Sequence, residues 1–228
     1  LKGLVSNSQV QDFTVVTAQE QTNGRGQMHT KWLSDSGKNL ILSVFLEFEN
    51  LMISNQKFLN YAISLSIYDV LQSYKLPQLC IKWPNDIMSE NTKIAGILIE
   101  NYMRNGLIYG SVVGIGLNVN QDSFPLDITG ASSMALKMSQ KFSLDEVLER
   151  VLDRMSHYVT QLKSSEFQML EEYYLDRLYK KNVPSMFKTS QNVLFMGKII
   201  GVSSSGKLQI ELSDETLQEF ALKEVSFA

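Results

Sequence analysis

The stretch "IKWPNDIMSENTKIAGILIE", residues 81–100, places polar residues inside two segments that are otherwise typical of β-strands. Polar groups within a sheet cost free energy unless they pair or bind something. A four-residue turn between the segments would set Met88 opposite Lys93, so that Asp86 lies two or three residues from Lys93 across the hairpin. With Asn85 beside Asp86, the stretch predicts an antiparallel hairpin that bears a polar site.

The next apolar segment extends this pattern to a third strand. Gly96 follows Lys93 by three residues, and "GIGLNVN" (114–120) contains two glycines and Asn118. Glycine within a strand lets another backbone or a ligand approach closely. Each feature has a plain alternative: an ion pair of Lys93 with Asp86, a bulge at Gly96, a turn at Asn118. Three adjacent strands that are all interrupted in this way favour a binding site.

A loop upstream, "QTNGRGQMHTKW" (21–32), sets Arg25 between Gly24 and Gly26. Glycine permits positive φ and close backbone approach. The planar fork of donors on arginine suits a carboxylate or a phosphate. The loop therefore predicts either a tight turn or a segment that wraps an anion.

Hydrophobic patterning over the whole chain predicts an α+β fold. The predicted strands of the main sheet are 12–18, 39–49, 79–88, 93–103 and 107–119. The predicted helices are 54–74, a second one that begins at Ser143 with Glu146 completing a capping box, and 166–179. The short turns after residues 88 and 103 indicate an antiparallel meander.

The last 45 or so residues change to short alternating strands, which predicts a small β-barrel. We place the boundary near residues 181–184, with domains at 1–181 and 182–228. "GVSSSGK" (201–207) matches most of a phosphate-binding P-loop, but it lies between two short strands. A hairpin turn is the better interpretation of that stretch.

Composition limits the classes of function. The chain has 228 residues, 44% hydrophobic residues and a net charge of −3, which argues against a nucleic-acid partner. Its apolar runs are too short for a membrane helix. Cys80 is the only cysteine, so no internal disulfide can form and a cytoplasmic location is expected. His29 and His157 have no metal-ligand spacing.

Taken in order, "QTNGRGQ…KW", "SGKNLILS", "KWPND", "KIAGILIE" and "GIGLNVN" resemble the biotin protein ligase family. The resemblance implies a mixed or antiparallel β-sheet with helices on one face and a small C-terminal SH3-like barrel. It implies a ligase that uses ATP, biotin and Mg²⁺ to form biotinyl-5′-AMP. A lysine in the biotin carboxyl-carrier domain of a biotin-dependent carboxylase would then displace AMP.

The resemblance also assigns roles to residues, with Arg25 and Lys93 as the catalytic pair. The residues that it assigns to biotin are Gln21, Gly24, Arg25, Gly26, Gln27, Trp32, Lys93, Gly96 and Gly116. Those that it assigns to ATP are Arg25, Asn85, Asp86, Lys93 and Asn118. It puts Asn85, Asp86 and Asn118 on the nucleotide and magnesium side and leaves the metal ligands themselves open.

The chain departs from the family pattern at Met28 and His29, where members have a basic residue and a third glycine. A Ser-Thr-Asn segment that lines the family's biotin pocket is also missing upstream. We expect a monofunctional ligase without a DNA-binding domain, as a monomer or weak homodimer. The alternatives are a lipoate ligase or octanoyl transferase of the same fold, and a catalytically silent cofactor-binding module.

Overall fold

The computed structural model describes residues 1–7, 10–22, 24–26, 32–126 and 128–228. A six-stranded sheet forms the larger part of the protein. Its strands are β1 (Val15–Ala18), β2 (Leu40–Met52), β3 (Leu79–Lys82), β4 (Asp86–Ser89), β5 (Thr92–Arg104) and β6 (Leu107–Leu117). Their spatial order is β1-β2-β6-β5-β4-β3, and every neighbouring pair is antiparallel.

The helices of the described residues are α1 (Lys2–Asn7), α2 (Gln56–Ser73), α3 (Met134–Met138), α4 (Leu144–Lys163) and α5 (Phe167–Asp176). Two of them, α2 and α4, pack against one face of the large sheet. Leu42, Val44 and Leu46 of β2 belong to the buried core that the helices cover. No helix in the described ranges is long and apolar enough to cross a membrane.

The helix predicted to begin at Ser143 is α4, and it has the predicted N-terminus. Ser143 is the N-cap of α4, and its hydroxyl accepts a hydrogen bond from the Glu146 backbone N–H at 3.3 Å. An N-cap hydroxyl satisfies one of the free donors at a helix start. The helix predicted over 54–74 starts instead at Gln56, after a short 3₁₀ turn.

The hairpin register was also predicted. Met88 is the strand partner of Lys93, and Asp86 is opposite Gly96, three residues further along β5. The single strand predicted over 79–88 is wrong, since residues 83–85 form a turn that divides it into β3 and β4. The turn lets the chain reverse, so that Lys82 and Asp86 face each other across a second hairpin.

A second, five-stranded antiparallel sheet follows. Its strands are β7 (Pro184–Thr189), β8 (Leu194–Val202), β9 (Leu208–Leu212), β10 (Leu217–Phe220) and β11 (Val225–Phe227), in the order β10-β9-β8-β7-β11. Sequence patterning missed β7. The predicted barrel is seen as an open sheet, since no pairing joins β10 to β11 in this described region. The "GVSSSGK" stretch consists of the last two residues of β8 and the β8–β9 turn, so the predicted hairpin turn is present.

The two sheets meet at the turn between β3 and β4. The indole Nε1 of Trp83 donates to the Gly206 carbonyl at 3.1 Å. Lys57 of α2 donates to the Ser203 carbonyl at 3.3 Å and pairs with Glu171 of α5 at 2.6 Å. The second sheet is therefore attached next to the polar stretch that the sequence singles out.

Candidate active site

A cavity of about 550 Å³ lies on the face of the large sheet that is opposite the helices. Its floor follows the strand register, because residues directly opposite each other in an antiparallel sheet share a face. One row contains Ile41, Gly116, Gly96 and Asp86, which belong to four adjacent strands. The two central glycines have no side chain, so the middle of the row is a trough.

The indole of Trp32 lies in this trough. A Cβ atom added at Gly116 would overlap the indole, and one added at Gly96 would lie 3.3 Å from the ring. The close approach explains why both positions are glycine. The indole Nε1 is buried and has no hydrogen-bond partner among the described residues.

Lys93 and Asp86 form the polar end of the cavity. Lys93 Nζ lies 2.6 Å from Asp86 Oδ1 and 5.7 Å from the centre of the Trp32 ring. The backbone of Lys93 is bonded on both sides, to the Gly130 carbonyl at 2.7 Å and to the Ser132 N–H at 3.0 Å. The lysine is therefore fixed at its backbone, while its side chain, about one third exposed, lines the cavity.

Asn85 lines the same end of the cavity and is 8% exposed. Its side-chain Nδ2 donates to the Ile97 carbonyl, and its backbone carbonyl accepts a hydrogen bond from the Ile97 N–H at 3.1 Å. Asn85 thus ties the β3–β4 turn to β5. Part of its hydrogen-bonding capacity serves the fold.

Gly24 and Trp32 close the base of the glycine-rich loop. The Trp32 N–H donates to the Gly24 carbonyl at 3.1 Å, and a Cβ atom at Gly24 would collide with the Trp32 carbonyl oxygen. Any larger residue at position 24 would break this pairing, since the colliding atom belongs to the backbone. This close contact with the Trp32 backbone explains why the residue before Arg25 is a glycine.

Arg25 enters the cavity from the end opposite Lys93. Its Nη2 lies 4.0 Å from Glu100 Oε2, and Lys2 Nζ lies 2.5 Å from Glu100 Oε1. Glu100 follows Gly96 by four residues on β5, about 13 Å along the strand. The Arg25 side chain is 65% exposed, so its ion pair with Glu100 contributes little stability. Both cations face one cavity, each beside a carboxylate.

The structure brings most of the predicted residues to this cavity. Those that line it are Gln21, Arg25, Gly26, Trp32, Asn85, Asp86, Lys93, Gly96 and Gly116. Gly24 lies at the loop base. Gln27, with Met28 and His29, lies outside the described residues.

Asn118 does not line the cavity. It is 3% exposed, and its amide donates to the Ser132 carbonyl at 3.0 Å. Its Oδ1 atom is buried without a partner in the described part of the chain. The predicted role of Asn118 toward ATP stays a prediction.

Three charged residues that line the cavity were not predicted from sequence: Lys2, Glu100 and Lys223. Glu100 had a signal, because it lies an even number of residues from Gly96 and therefore on the same face of β5. Lys223 belongs to the β10–β11 connection of the second sheet. Nothing in the local sequence indicates that it reaches this cavity.

Cys80, on β3, does not belong to the cavity. Burial raises the pKa of its thiol to about 11, although the nearby Lys82 acts in the opposite direction. The thiolate is the reactive form of cysteine, so this thiol is inert near neutral pH. Within the described ranges, no three His, Cys, Asp or Glu side chains are grouped so that they could hold a metal ion.

Comparison with known proteins agrees with this geometry. The profile of the biotin/lipoate A/B protein ligase family matches residues 1–118. The bifunctional ligase/repressor BirA of Bacillus spizizenii is 28% identical over 221 residues, which cover 92% of this chain and 65% of the relative. The biotin–[acetyl-CoA-carboxylase] ligase of Paracoccus denitrificans is 26% identical over 199 residues, with 85% and 82% covered.

A solved structure is similar over the full length. The biotin protein ligase of Aquifex aeolicus in complex with biotin and ATP superimposes with a TM-score of 0.80 at 27% identity, covering 100% of this chain and 93% of that one. The chain spans only 65% of the length of the Bacillus relatives. Because the family profile matches 118 of its 228 residues, the chain belongs to the biotin/lipoate A/B protein ligase family.

Proposed function

We propose that this protein is an ATP-dependent biotin–protein ligase. The observation that carries the proposal is one cavity with a glycine floor that Arg25 and Lys93 enter from opposite ends. The similarity to a ligase solved with biotin and ATP supports the same reading. Biotin and ATP would be substrates, and the enzyme class would be a ligase.

In the first reaction, a carboxylate oxygen of biotin attacks the α-phosphorus of ATP. The new bond gives biotinyl-5′-AMP, and the bond to the β-phosphate oxygen breaks to release pyrophosphate. Both reactants are anionic, so the enzyme must mainly hold them together and stabilise their charge. No enzyme nucleophile is needed, which fits a cavity lined by several cations and carboxylates.

Lys93 is the residue that we assign to the reacting groups. Its backbone is fixed by the 130–132 segment, and its ammonium lies over Gly96, where a flat ligand could contact the floor. Asp86 holds the ammonium at 2.6 Å. We assign Arg25 to the same anions, which requires the guanidinium to leave Glu100.

The trough formed by Gly96 and Gly116 is the proposed biotin site. Gln21, Gly24, Gly26 and Trp32 would complete it, and Gln27 keeps the biotin-binding role that the sequence predicts. Gln21 and Trp32 already contact or line the trough. The indole would have to share the floor with biotin or move from it.

We assign Asn85, Asp86 and Asn118 to the nucleotide, and the first two line the cavity. Mg²⁺ typically binds through one or two carboxylates together with substrate phosphates, and it keeps several waters. The oxygen donors of Asn85 and Asp86 fit an ion that enters with ATP. Mg²⁺ would neutralise phosphate charge as pyrophosphate leaves.

In the second reaction, a lysine amine of a carboxylase biotin-carrier domain attacks the acyl carbon and displaces AMP. Residues 1–181 would be the catalytic domain. Residues 182–228 would be the small domain, and its open sheet would be the counterpart of the SH3-like barrel that the resemblance implies. The monomeric or weakly dimeric state, the cytoplasmic location and the absence of a nucleic-acid partner stay predictions from sequence.

The family also contains lipoate ligases and octanoyl transferases, so these are the nearest alternatives. "GRGQ" together with "KWPND" favours biotin by resemblance. A catalytically silent cofactor-binding module would be expected to lack one of the two cations, and this chain has both. Titration calorimetry with biotin and with lipoate distinguishes a biotin ligase from a lipoate ligase. Binding of lipoate alone would favour the lipoate ligase.

The direct test incubates the protein with biotin, ATP, Mg²⁺ and a recombinant biotin-carrier domain. The carrier should gain the mass of one biotinyl group, and pyrophosphate should appear in step. Pyrophosphate release without carrier would show the first reaction alone. No pyrophosphate release with either biotin or lipoate would support the silent module.

A further inference from the structure

The Pro84 carbonyl receives hydrogen bonds from two helices. The amide Nδ2 of Asn60, on α2, donates to it at 2.6 Å, and the hydroxyl of Tyr174, on α5, donates at 3.2 Å. Pro84 lies in the turn between β3 and β4, two residues before Asp86. Two elements far apart in sequence thus fix one backbone oxygen beside the cavity.

The turn determines where the Asp86 carboxylate lies. Asp86 is the first residue after the turn, and its carboxylate contacts the Lys93 ammonium at 2.6 Å. Asn85, within the turn, is bonded to Ile97 of β5. A shift of the Pro84 carbonyl would therefore move the residues that hold Lys93 over the glycine floor.

Tyr174 is suited to hold this oxygen. Its side chain is fully buried, and burial raises the pKa of its hydroxyl well above the usual range. The hydroxyl therefore remains a protonated donor under all conditions in which the protein would act. Its ring stacks on that of Tyr61 with centroids 4.0 Å apart.

Tyr61 provides a natural comparison. It belongs to α2 and is as buried as Tyr174, but its hydroxyl has no partner among the described residues. Removing the Tyr61 hydroxyl deletes a buried oxygen that makes no hydrogen bond among the described residues. Removing the Tyr174 hydroxyl deletes the donor of a hydrogen bond to the Pro84 carbonyl in the turn.

We propose that Asn60 and Tyr174 are positioning residues for adenylation, acting through the Pro84 carbonyl on the Asp86–Lys93 pair. The proposal rests on the proposed function and adds to it a link between the helical layer and the reacting groups. Displacements near 1 Å at a reacting centre can cost about 100-fold in rate. Loss of one of the two hydrogen bonds to the Pro84 carbonyl should lower the rate by less than that.

The test compares Tyr174→Phe with Tyr61→Phe. Each removes one buried hydroxyl from one of two stacked rings, so their effects on packing are matched. We expect Tyr174→Phe to lower kcat for pyrophosphate release by about tenfold, and Tyr61→Phe to leave it within about twofold. Melting temperatures measured on the same samples separate this effect from loss of folded protein. Asn60→Ala should act in the same direction as Tyr174→Phe.

A double-mutant cycle tests the route of the effect. If Tyr174 acts through Asp86, its effect on kcat/KM for ATP should shrink when Asp86→Asn is already present. Tyr61→Phe should combine additively with Asp86→Asn. Equal kcat for Tyr174→Phe and Tyr61→Phe, or additivity of Tyr174→Phe with Asp86→Asn, would overturn the positioning role alone. A wild-type protein that releases no pyrophosphate would overturn the proposed function and this role together.

Discussion

The ammonium of Lys93 lies 2.6 Å from the carboxylate of Asp86, although the strand partner of Lys93 is Met88. The register shifts between Ile87 and Met88, and the lysine side chain extends along β5 toward Gly96, the partner of Asp86. The bare glycine leaves room for this path. A cation is therefore held over the glycine floor by a carboxylate from the neighbouring strand.

Replacing Lys93 tests its proposed role. Lys93→Ala should lower pyrophosphate release by at least about 100-fold, because the charge acts most strongly as the phosphate charge shifts. Biotin binding, measured by calorimetry, should be weakened but still detectable. Lys198→Ala is the control, since Lys198 lies on β8 and pairs with Glu211. An unaltered turnover rate for Lys93→Ala would refute the role.

Gly116→Ala tests the packing of the indole on the floor. The added methyl group would overlap the Trp32 ring, so we expect the indole to be displaced or the protein to lose about 1–3 kcal/mol of stability. The indole N–H resonance of Trp32 in an NMR spectrum reports displacement, and chemical unfolding reports stability.

Gly114→Ala is the matched control on the same strand. A Cβ atom there meets only Leu98, at 3.6 and 3.9 Å, which is ordinary contact. Its Trp32 resonance should stay in place. If the two variants perturb the indole equally, the ring does not rest on Gly116 in solution.

Trp83→Phe tests the attachment of the second sheet. The phenyl ring keeps apolar contact but removes the Nε1 donor to the Gly206 carbonyl, a loss of about 0.5–1.5 kcal/mol. Amide hydrogen exchange should speed up in the β8–β9 turn before it does so in β2. Uniform acceleration across both sheets would contradict a local attachment at this point.

Cys80 predicts a pH dependence of stability. Burial raises the pKa of the folded thiol to about 11, above the unfolded value of about 8.5. The unfolded state therefore loses its proton first, and the contribution that is present below about pH 8.5 is lost as pH rises toward 11. Between these values wild type should lose more stability than Cys80→Ala in urea unfolding. Parallel curves for the two proteins would rule out this titration.

Much of the large sheet followed from local patterns. The turn chemistry and alternation fixed the meander and the pairing of Met88 with Lys93, and the Ser143 cap marked the start of α4. The break within residues 79–88 was not predicted because the apolar pattern continues through a turn of only three residues. Strand β7 was not predicted because Pro184 follows a polar stretch typical of a linker.

Most of the predicted residues do line the cavity, but the contacts that they make there could not be predicted from sequence. Glycine and charge patterns identified Arg25, Lys93 and the floor. The pairing of Arg25 with Glu100, and the link from Tyr174 to Pro84, join residues 75 and 90 positions apart in the sequence. Such contacts depend on tertiary packing, and local periodicity contains no signal for them.

The wall of the cavity that includes Lys223 has a consequence for synthesis. Lys2 and Lys223 line the same space, so this wall is complete only when the first helix and the connection after β10 are both in place. A ribosome-bound chain that has emerged only as far as β6 would have the glycine trough without this wall. On that basis the protein would become competent to retain a small ligand only late in translation, after the second sheet has docked.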